Sequence, residues 1–371
     1  MSGSPDILII GGGVIGLSTA VRLASRGASV RVVDRQPVGL EASWAGAGML
    51  PPGNAAHAHS PEARLRAYSD ELWDDFSRWL RDLTGIDNGF HRCGAVELNP
   101  DPGSDAFGAA VSLWRAEQIR MEKLNRSELE QRIPGLSSGF SEGVFLPDFG
   151  QARNPRHLKS LKAACQILGV DIEEGLGPIQ LESSKDQTVV ARSATGRAFS
   201  GRICVSAGAW TPHLMRPLGL ELPIEPVRGQ IVLLKPKTRM LTSVVEVGRR
   251  YLVPRPDGLV LVGSTLERCG FEKRTTSSGV SELLQFAHFV VPGLAEASVE
   301  KTWAGLRPGS PDQLPYLGRI SRYRNLFIGA GHFRSGLQMS TGTSAILADL
   351  LLDASPAIPL NGLEACRGWG E

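Results

Sequence analysis

The sequence predicts an α/β fold of mixed α+β character: a Rossmann-like dinucleotide-binding domain joined to a second domain built on an antiparallel sheet. Three observations predict it. An apolar run, Ile7 to Ile10, enters a G-x-G-x-x-G turn at Gly11, Gly13 and Gly16. An acid, Asp34, ends the next strand-like run, about 20 residues beyond those glycines, where such folds place it. A separate group of strand-like runs lies between residues 231 and 264, far from the opening in sequence.

The unbroken run Ile7 to Ile10 suits a parallel strand buried on both faces. Gly11 makes the tight turn, Gly13 admits backbone N–H groups to a pyrophosphate, and Gly16 permits close helix–strand packing. Val14, Leu17, Val21 and Ala24 then fall at helical spacing, with Gly27 as the stop. The start of that helix, at Val14 and Ile15, offers N–H groups and a positive dipole end to phosphates. Ser29 to Val33 reads as the second strand, and Asp34 after it suits a ribose hydroxyl and disfavours a 2′-phosphate. Arg35 beside it keeps NADP in view.

Ser43 to Gly53 is a small-residue loop that allows close backbone approach. Pro61 to Thr84 reads as one helix, capped by Ser60, stopped by Gly85, and striped by Leu65, Leu72, Phe76, Trp79 and Leu83. From Gly94 to Pro147 short strands and helices mix. Ser127 to Glu130 has capping-box spacing, and Pro134-Gly135 closes that element. A helix from Asn154 carries Leu158, Leu161, Cys165 and Leu168 on one face and stops at Gly169. Strands are expected at 170–173, 179–182, 187–192 and 199–206, the last returning to the first sheet. Further strands at 231–234, 243–247, 251–255 and 259–264, with a hairpin turn at Pro256-Asp257-Gly258, make a second sheet. A helix is expected at 281–290, a last strand at 326–328 and a last helix at 337–352.

A chain of 371 residues with 42% hydrophobic content can bury two cores. Its 40 basic and 38 acidic residues balance, which gives no reason to expect nucleic acid or an anionic membrane as partner. The five cysteines, at 93, 165, 204, 269 and 366, are too scattered for a metal cluster or a dithiol centre and read as small buried apolar groups. His57-Ala58-His59 has no third ligand nearby, so no metal is expected. With no leader-like opening and no bilayer-length apolar stretch, the expected location is the cytoplasm.

A single dinucleotide fingerprint leaves FAD or NAD as the cofactor. A second glycine-rich turn, Gly329-Ala330-Gly331-His332-Phe333-Arg334-Ser335-Gly336, favours FAD, because a helix beginning near Gly336 suits the anionic pyrimidine side of a reduced flavin. Two arginines attract attention. Arg307 and Arg334 each offer the fork that grips a carboxylate through parallel hydrogen bonds, and Tyr251 can add a third donor; the bland alternative is a surface charge or structural ion pair. His332 is expected to pack or hydrogen-bond within its turn.

At these residues the chain resembles the glycine oxidase branch of the D-amino-acid oxidase family. The opening fingerprint with Ser43 to Leu50, the segment Trp303 to Gly309 and the segment Gly331 to Gly336 carry the likeness, which extends over nearly the whole chain. The resemblance implies non-covalent FAD. It places Val14, Ile15, Asp34, Arg35, Ala42, Ser43, Ala47, Gly48 and Met49 along the cofactor, Pro178 near the adenine, and His332, Phe333, Arg334, Ser335, Gly336, Leu337 and Gln338 around the flavin ring. It gives the substrate carboxylate to Arg307 and Tyr251, with Arg334 beside the site. It also implies a discontinuous FAD domain (residues 1–85, 145–220 and 301–371) and a substrate domain (86–144 and 221–300).

The implied reaction passes hydride from the Cα of glycine, or of a small N-substituted or D-amino acid, to flavin N5. Water hydrolyses the imine, and oxygen takes the electrons to give hydrogen peroxide. A homotetramer and a role in supplying thiazole synthesis for thiamine are implied as well. Leu266, where relatives often carry methionine, and Arg249-Arg250 ahead of Tyr251, where a histidine is familiar, leave substrate preference open. So do three other readings: a dehydrogenase of the same fold that reduces a quinone, a non-catalytic dinucleotide-binding regulator, and a tRNA-modifying oxidase, for which the flat charge balance offers no surface.

Overall fold

The computed structural model describes residues 6–101 and 105–368. In chain order, the elements that position the site begin with β1 (Ile7–Ile10), α1 (Val14–Ala24), β2 (Val30–Val33), α2 (Ala42–Ala45), α3 (Pro61–Thr84), α4 (Asn154–Ile167), β3 (Arg202–Val205) and β4 (Glu225–Lys235). They continue with β5 (Val244–Val247), β6 (Arg250–Pro254), β7 (Val260–Gly263), β8 (Ser298–Gly309), β9 (Leu326–Ala330) and α5 (Ser340–Leu351).

All four residues of β1 are buried, as a strand covered on both faces requires. β1 lies at the middle of a six-stranded sheet, parallel to β2 on one side and β3 on the other; β9 follows β3, and Asp171–Glu173 follows β2. Ile7 and Ile9 face α1, α3, α4 and α5, while Leu8 and Ile10 face a small antiparallel sheet formed within residues 179–199. Because β1 has chain running to both sides of it, its C-terminal end opens onto the crevice where open parallel sheets bind ligands. Gly16 packs α1 onto this strand: a Cβ there would stand 1.9 Å from the Gly11 carbonyl oxygen.

The second sheet has eight strands. β8, β4, β7, β6 and β5 follow one another antiparallel, and β5 then pairs in parallel with Ala95–Leu98. Its residues alternate as strands dictate. Val232, Val245, Leu252 and Val262 pack beneath the helix Ser277–Val290, and Ile231, Val253 and Leu261 face the other way, with Tyr251.

The two large sheets agree with the expected fold class, and several local expectations are corrected. The loop 43–53 contains α2 and a short strand, Met49–Leu50, that pairs with Gly150–Gln151. On α3, Ser60 caps and Gly85 closes as expected, and Leu65 and Phe76 of the expected stripe are buried, but Trp79 is exposed, and Trp73 and Leu80 are buried beside them. The capping box near residue 128 is formed by Asn125 with Glu128, not by Ser127 with Glu130. An antiparallel edge strand, Tyr316–Arg319, was not anticipated. Cys165 and Cys204 are buried, their thiols pushed up to about 12 by desolvation, but Cys93, Cys269 and Cys366 are only half-buried. Most consequential is β8. Twelve residues run beside β4, so a domain boundary at residue 301 falls inside a strand of the second sheet. Residues 1–5, 102–104 and 369–371 of the expected division lie outside the described residues.

His157 of α4 is fully buried against Trp73. Its Nε2 has no hydrogen-bond partner among the described residues, and burial lowers its pKa to about 3. Below the unfolded value near 6.5, the unfolded chain therefore binds a proton here that the folded chain refuses, and stability falls with pH. We expect His157→Gln to reduce the slope of unfolding free energy against pH by about 1.4 kcal/mol per unit between pH 6 and 5. Denaturant titrations at several pH values measure it, and equal slopes in parent and variant would contradict the assignment.

Candidate active site

A cavity of about 1040 Å³ opens at the C-terminal end of β1 and reaches the second sheet. One end is the fingerprint. Gly11, Gly13, Val14 and Ile15 line it; Gly16 does not, because its part is the α1–β1 contact. The Ser43 hydroxyl accepts from Val14 N at 2.9 Å and takes one N–H of the α1 N-terminus. That of Ile15, on the cavity, has no acceptor among the described residues.

Asp34 and Arg35 line the cavity beyond the fingerprint. Asp34 accepts from Gly12 N at 2.7 Å and from Gln36 N at 3.1 Å, and its pKa is raised, burial outweighing those bonds. Arg35 is stacked on Trp210, 4.0 Å from the ring centroid, and pairs with Glu41 at 3.6 Å. Pro178 lies at this same end, between Gly177 and Ile179. Ala42, Ala47, Gly48 and Met49 form the facing wall. That wall is held from behind by Arg255, a buried side chain whose Nη2 donates to Ala47 O at 2.7 Å and whose Nη1 donates to Gln151 Oε1 at 2.9 Å.

The C-terminal turn completes the middle. β9 reaches β1 through β3, and residues 331–338 line the cavity after it. His332 is buried, shares a hydrogen bond of 3.0 Å with Thr343, and has its pKa lowered to about 3 by burial, so it is neutral. The last helix begins at Ser340, not Leu337; turns closed by Ser335 N to His332 O and Met339 N to Ser335 O precede it. No helix N-terminus therefore sits at Gly336. Phe333 N donates to Pro308 O at 2.9 Å, and Gly309 bridges to His332. These contacts tie the end of β8 to the turn carrying Arg334.

Arg307 on β8, Tyr251 on β6 and Arg334 all line the same cavity. The Arg307 guanidinium donates to Ser264 Oγ at 2.6 Å and Thr265 O at 3.2 Å. Burial, and then the charge of Arg307, lower the pKa of Arg334. Two strand glycines make room: a Cβ on Gly229 would stand 2.2 Å from the Arg307 guanidinium, and one on Gly263 would stand 2.3 Å from the Tyr251 ring. Both were missed in the sequence, although an isolated glycine in a strand signals close approach. Ser264, Asn154, Trp210 and Glu246, which also line the cavity, gave no pattern to detect. Leu266 is 38% exposed and off the cavity wall; Arg249 is on it.

Because Ser264 orients Arg307 through one short bond, we expect Ser264→Ala to raise the KM for a carboxylate substrate roughly five- to tenfold with little change in kcat, the effect of about 1 kcal/mol. Steady-state kinetics on protein of matched flavin content test this; an unchanged KM removes the positioning role.

A family model described as FAD dependent oxidoreductase matches residues 6–350. The chain belongs to that family. It is 36% identical to a glycine oxidase of Pseudomonas putida over 357 residues, 96% of each chain. It is 33% identical to a bifunctional ThiO/ThiG protein of a Nostoc species, over 94% of this chain and 53% of that one. The crystal structure of glycine oxidase from Geobacillus kaustophilus superposes with a TM-score of 0.92 at 29% identity, covering both chains fully.

The residues present fit FAD. The unclaimed Ile15 N–H meets a phosphate's requirement, the wall is rich in glycine, and Gln338 Oε1, buried beside the cavity, has no protein donor. Among the described residues no helix is long and apolar enough to cross a membrane.

Proposed function

We propose that this FAD-dependent protein oxidises glycine and small N-substituted or D-amino acids. Arg307 and Tyr251 hold the substrate carboxylate in this reading, and Arg334 adds positive potential beside it. The observation that carries it is the meeting of the nucleotide fingerprint, the C-terminal turn and these three side chains in one cavity. The full-length likeness to curated glycine oxidases supports it.

Bound FAD supplies a hydride acceptor. The chain supplies position. Arg307, braced by Ser264 and Thr265, directs its remaining N–H groups at the carboxylate, and the Tyr251 hydroxyl donates alongside. The paired positive charges of Arg307 and Arg334 disfavour an ammonium near them and so favour the neutral amine that can lose hydride. Neutral His332 adds no charge.

We assign the pyrophosphate to Gly11, Gly13, Val14, Ile15 and Ser43, the ribose to Asp34 with Arg35 adjacent, and the adenine side to Pro178. The flavin ring falls to Ala47 to Met49 and His332 to Gln338. Among the described residues no cysteine lines the cavity, which supports non-covalent attachment. We further propose oxygen as acceptor, a cytoplasmic homotetramer, and delivery of the product to thiamine thiazole formation, a role that fits the ThiO/ThiG relative. We also propose a domain division along the two large sheets, with the substrate domain's segments extended to Leu146 and to Gly309.

Glycine added to the purified yellow protein under air is expected to yield glyoxylate, ammonia and hydrogen peroxide. A flavin left oxidised by every small amino acid without air defeats the proposal. Bleaching without peroxide on aeration favours the dehydrogenase reading.

A further inference from the structure

The cavity wall beside Tyr251 carries a carboxyl that the reaction above does not use. Glu246 on β5 pairs across the sheet with Tyr251 on β6 and, on its other side, with Glu97 of the Ala95–Leu98 strand. Residues paired in this way project from the same face. Three polar side chains therefore stand in a row on a face otherwise made of Ile231, Val253 and Leu261.

The neighbours of Glu246 are otherwise engaged. Trp114 Nε1 donates to Glu97 Oε2 at 3.2 Å. The Tyr251 ring turns away, over Gly263. Arg249, in the hairpin turn, is exposed, and its charge is felt at Arg334. Glu246 lines the cavity, and its carboxyl accepts no hydrogen bond and forms no ion pair among the described residues. Burial, and then Glu97, push its carboxyl up to about 8. Glu246 is half-buried, and a cation that a ligand brings beside its carboxyl favours the ionised form that burial disfavours.

The cavity wall thus carries two unlike polar features: guanidinium groups at Arg307 and Arg334, and the carboxyl of Glu246, with Glu97 behind it across the sheet. We propose that Glu246 is a specificity-determining residue, which receives a cationic nitrogen on the side chain or N-substituent of a substrate whose carboxylate is held by Arg307. The preferred substrate class is then amino acids with a second amino group, and apolar isosteres are disfavoured. This deepens, and rests on, the amino-acid oxidase reading. Glycine carries no side chain to reach Glu246.

The test compares isosteres in holoenzyme and in Glu246→Gln. 4-Aminobutanoate and pentanoate match in length and have no α-amine to oxidise, so their dissociation constants can be read from the perturbed absorbance of the oxidised flavin. The parent is expected to bind 4-aminobutanoate roughly tenfold or more tightly than pentanoate, the scale of a hydrogen bond to a charged group, and E246Q to bring the ratio near one. The kcat/KM ratio of D-2,4-diaminobutyrate to D-norvaline should follow. Equal ratios in parent and variant, or a parent that prefers pentanoate, overturn the assignment, as does a uniform loss of both ligands, which marks a structural role. If no amino acid reduces the flavin but the binding ratio behaves as expected, Glu246 keeps its role and the oxidase reading fails. If glycine reduces the flavin and the ratios do not change, only the present assignment fails.

Discussion

Arg307→Ala is expected to raise the KM for glycine by about two orders of magnitude while flavin content stays near that of the parent. The reason is geometric. Glycine offers one carboxylate, one amine and no side chain, so nearly all its binding specificity resides in the carboxylate contact. A forked, charge-assisted pair in a partly desolvated pocket contributes on the order of 2–4 kcal/mol, and removing its cation leaves the carboxylate unanswered. Arg334 does not replace it, because Ser264 and Thr265 aim only Arg307. Arg307→Lys retains the charge but not the fork, and should fall between parent and alanine. Arg307 belongs to a strand of the second sheet and the Gly11–Ile15 turn to the first, so cofactor retention is expected to be spared. A variant with full flavin and an unchanged KM would remove the carboxylate role outright.

How far the sequence reveals this site depends on the kind of signal each residue sends. Ile7 to Ile10, Gly11 to Gly16 and Asp34 are legible because one short segment contains strand, turn, helix start and acid in fixed order, and local sterics dictate each. Pro61–Thr84 was legible to the residue because Ser60, Pro61 and Gly85 mark both ends. Leu65 and Phe76 mark its buried face correctly, but the choice between Trp73 and Trp79 is not legible, since the two are equally apolar and only the neighbouring helices decide which is covered. β8 is hard to read because its first third, Ser298 to Lys301, is exposed and includes two charged residues, and only pairing with β4 makes it a strand. The same pairing carries Arg307 into the cavity, which no periodicity foretells. Glu246 was illegible for a related reason: its meaning comes from Glu97, some 150 residues away in sequence and adjacent across the sheet. Residues whose role is set by local backbone can be read from the chain, and residues whose role is set by cross-strand neighbours need the fold.

The glycines of the fingerprint should fail in two different ways. A Cβ on Gly16 would lie 1.9 Å from the Gly11 carbonyl oxygen and 3.2 Å from Ile9 Cγ2, both parts of the buried β1–α1 unit. Neither is the free end of a flexible side chain, so α1 must move off the sheet. That cost stands at the upper end of overpacking, about 3 kcal/mol, and displacement of α1 also moves the N–H of Ile15 from the cavity. Gly16→Ala is therefore expected to purify colourless, if it accumulates at all, and to unfold at lower denaturant. On Gly13 the added methyl meets only the Ser43 hydroxyl, at 3.1 Å, which can rotate at the expense of its bond from Val14 N. Gly13→Ala should then keep an apoprotein of near-parent stability but bind FAD at least about tenfold more weakly, because the methyl projects where a pyrophosphate must approach the backbone. Denaturation of the two apoproteins beside flavin titration separates the cases. Equal loss of stability in both, with equal loss of flavin, would mean that Gly13 serves packing and that the pyrophosphate lies elsewhere.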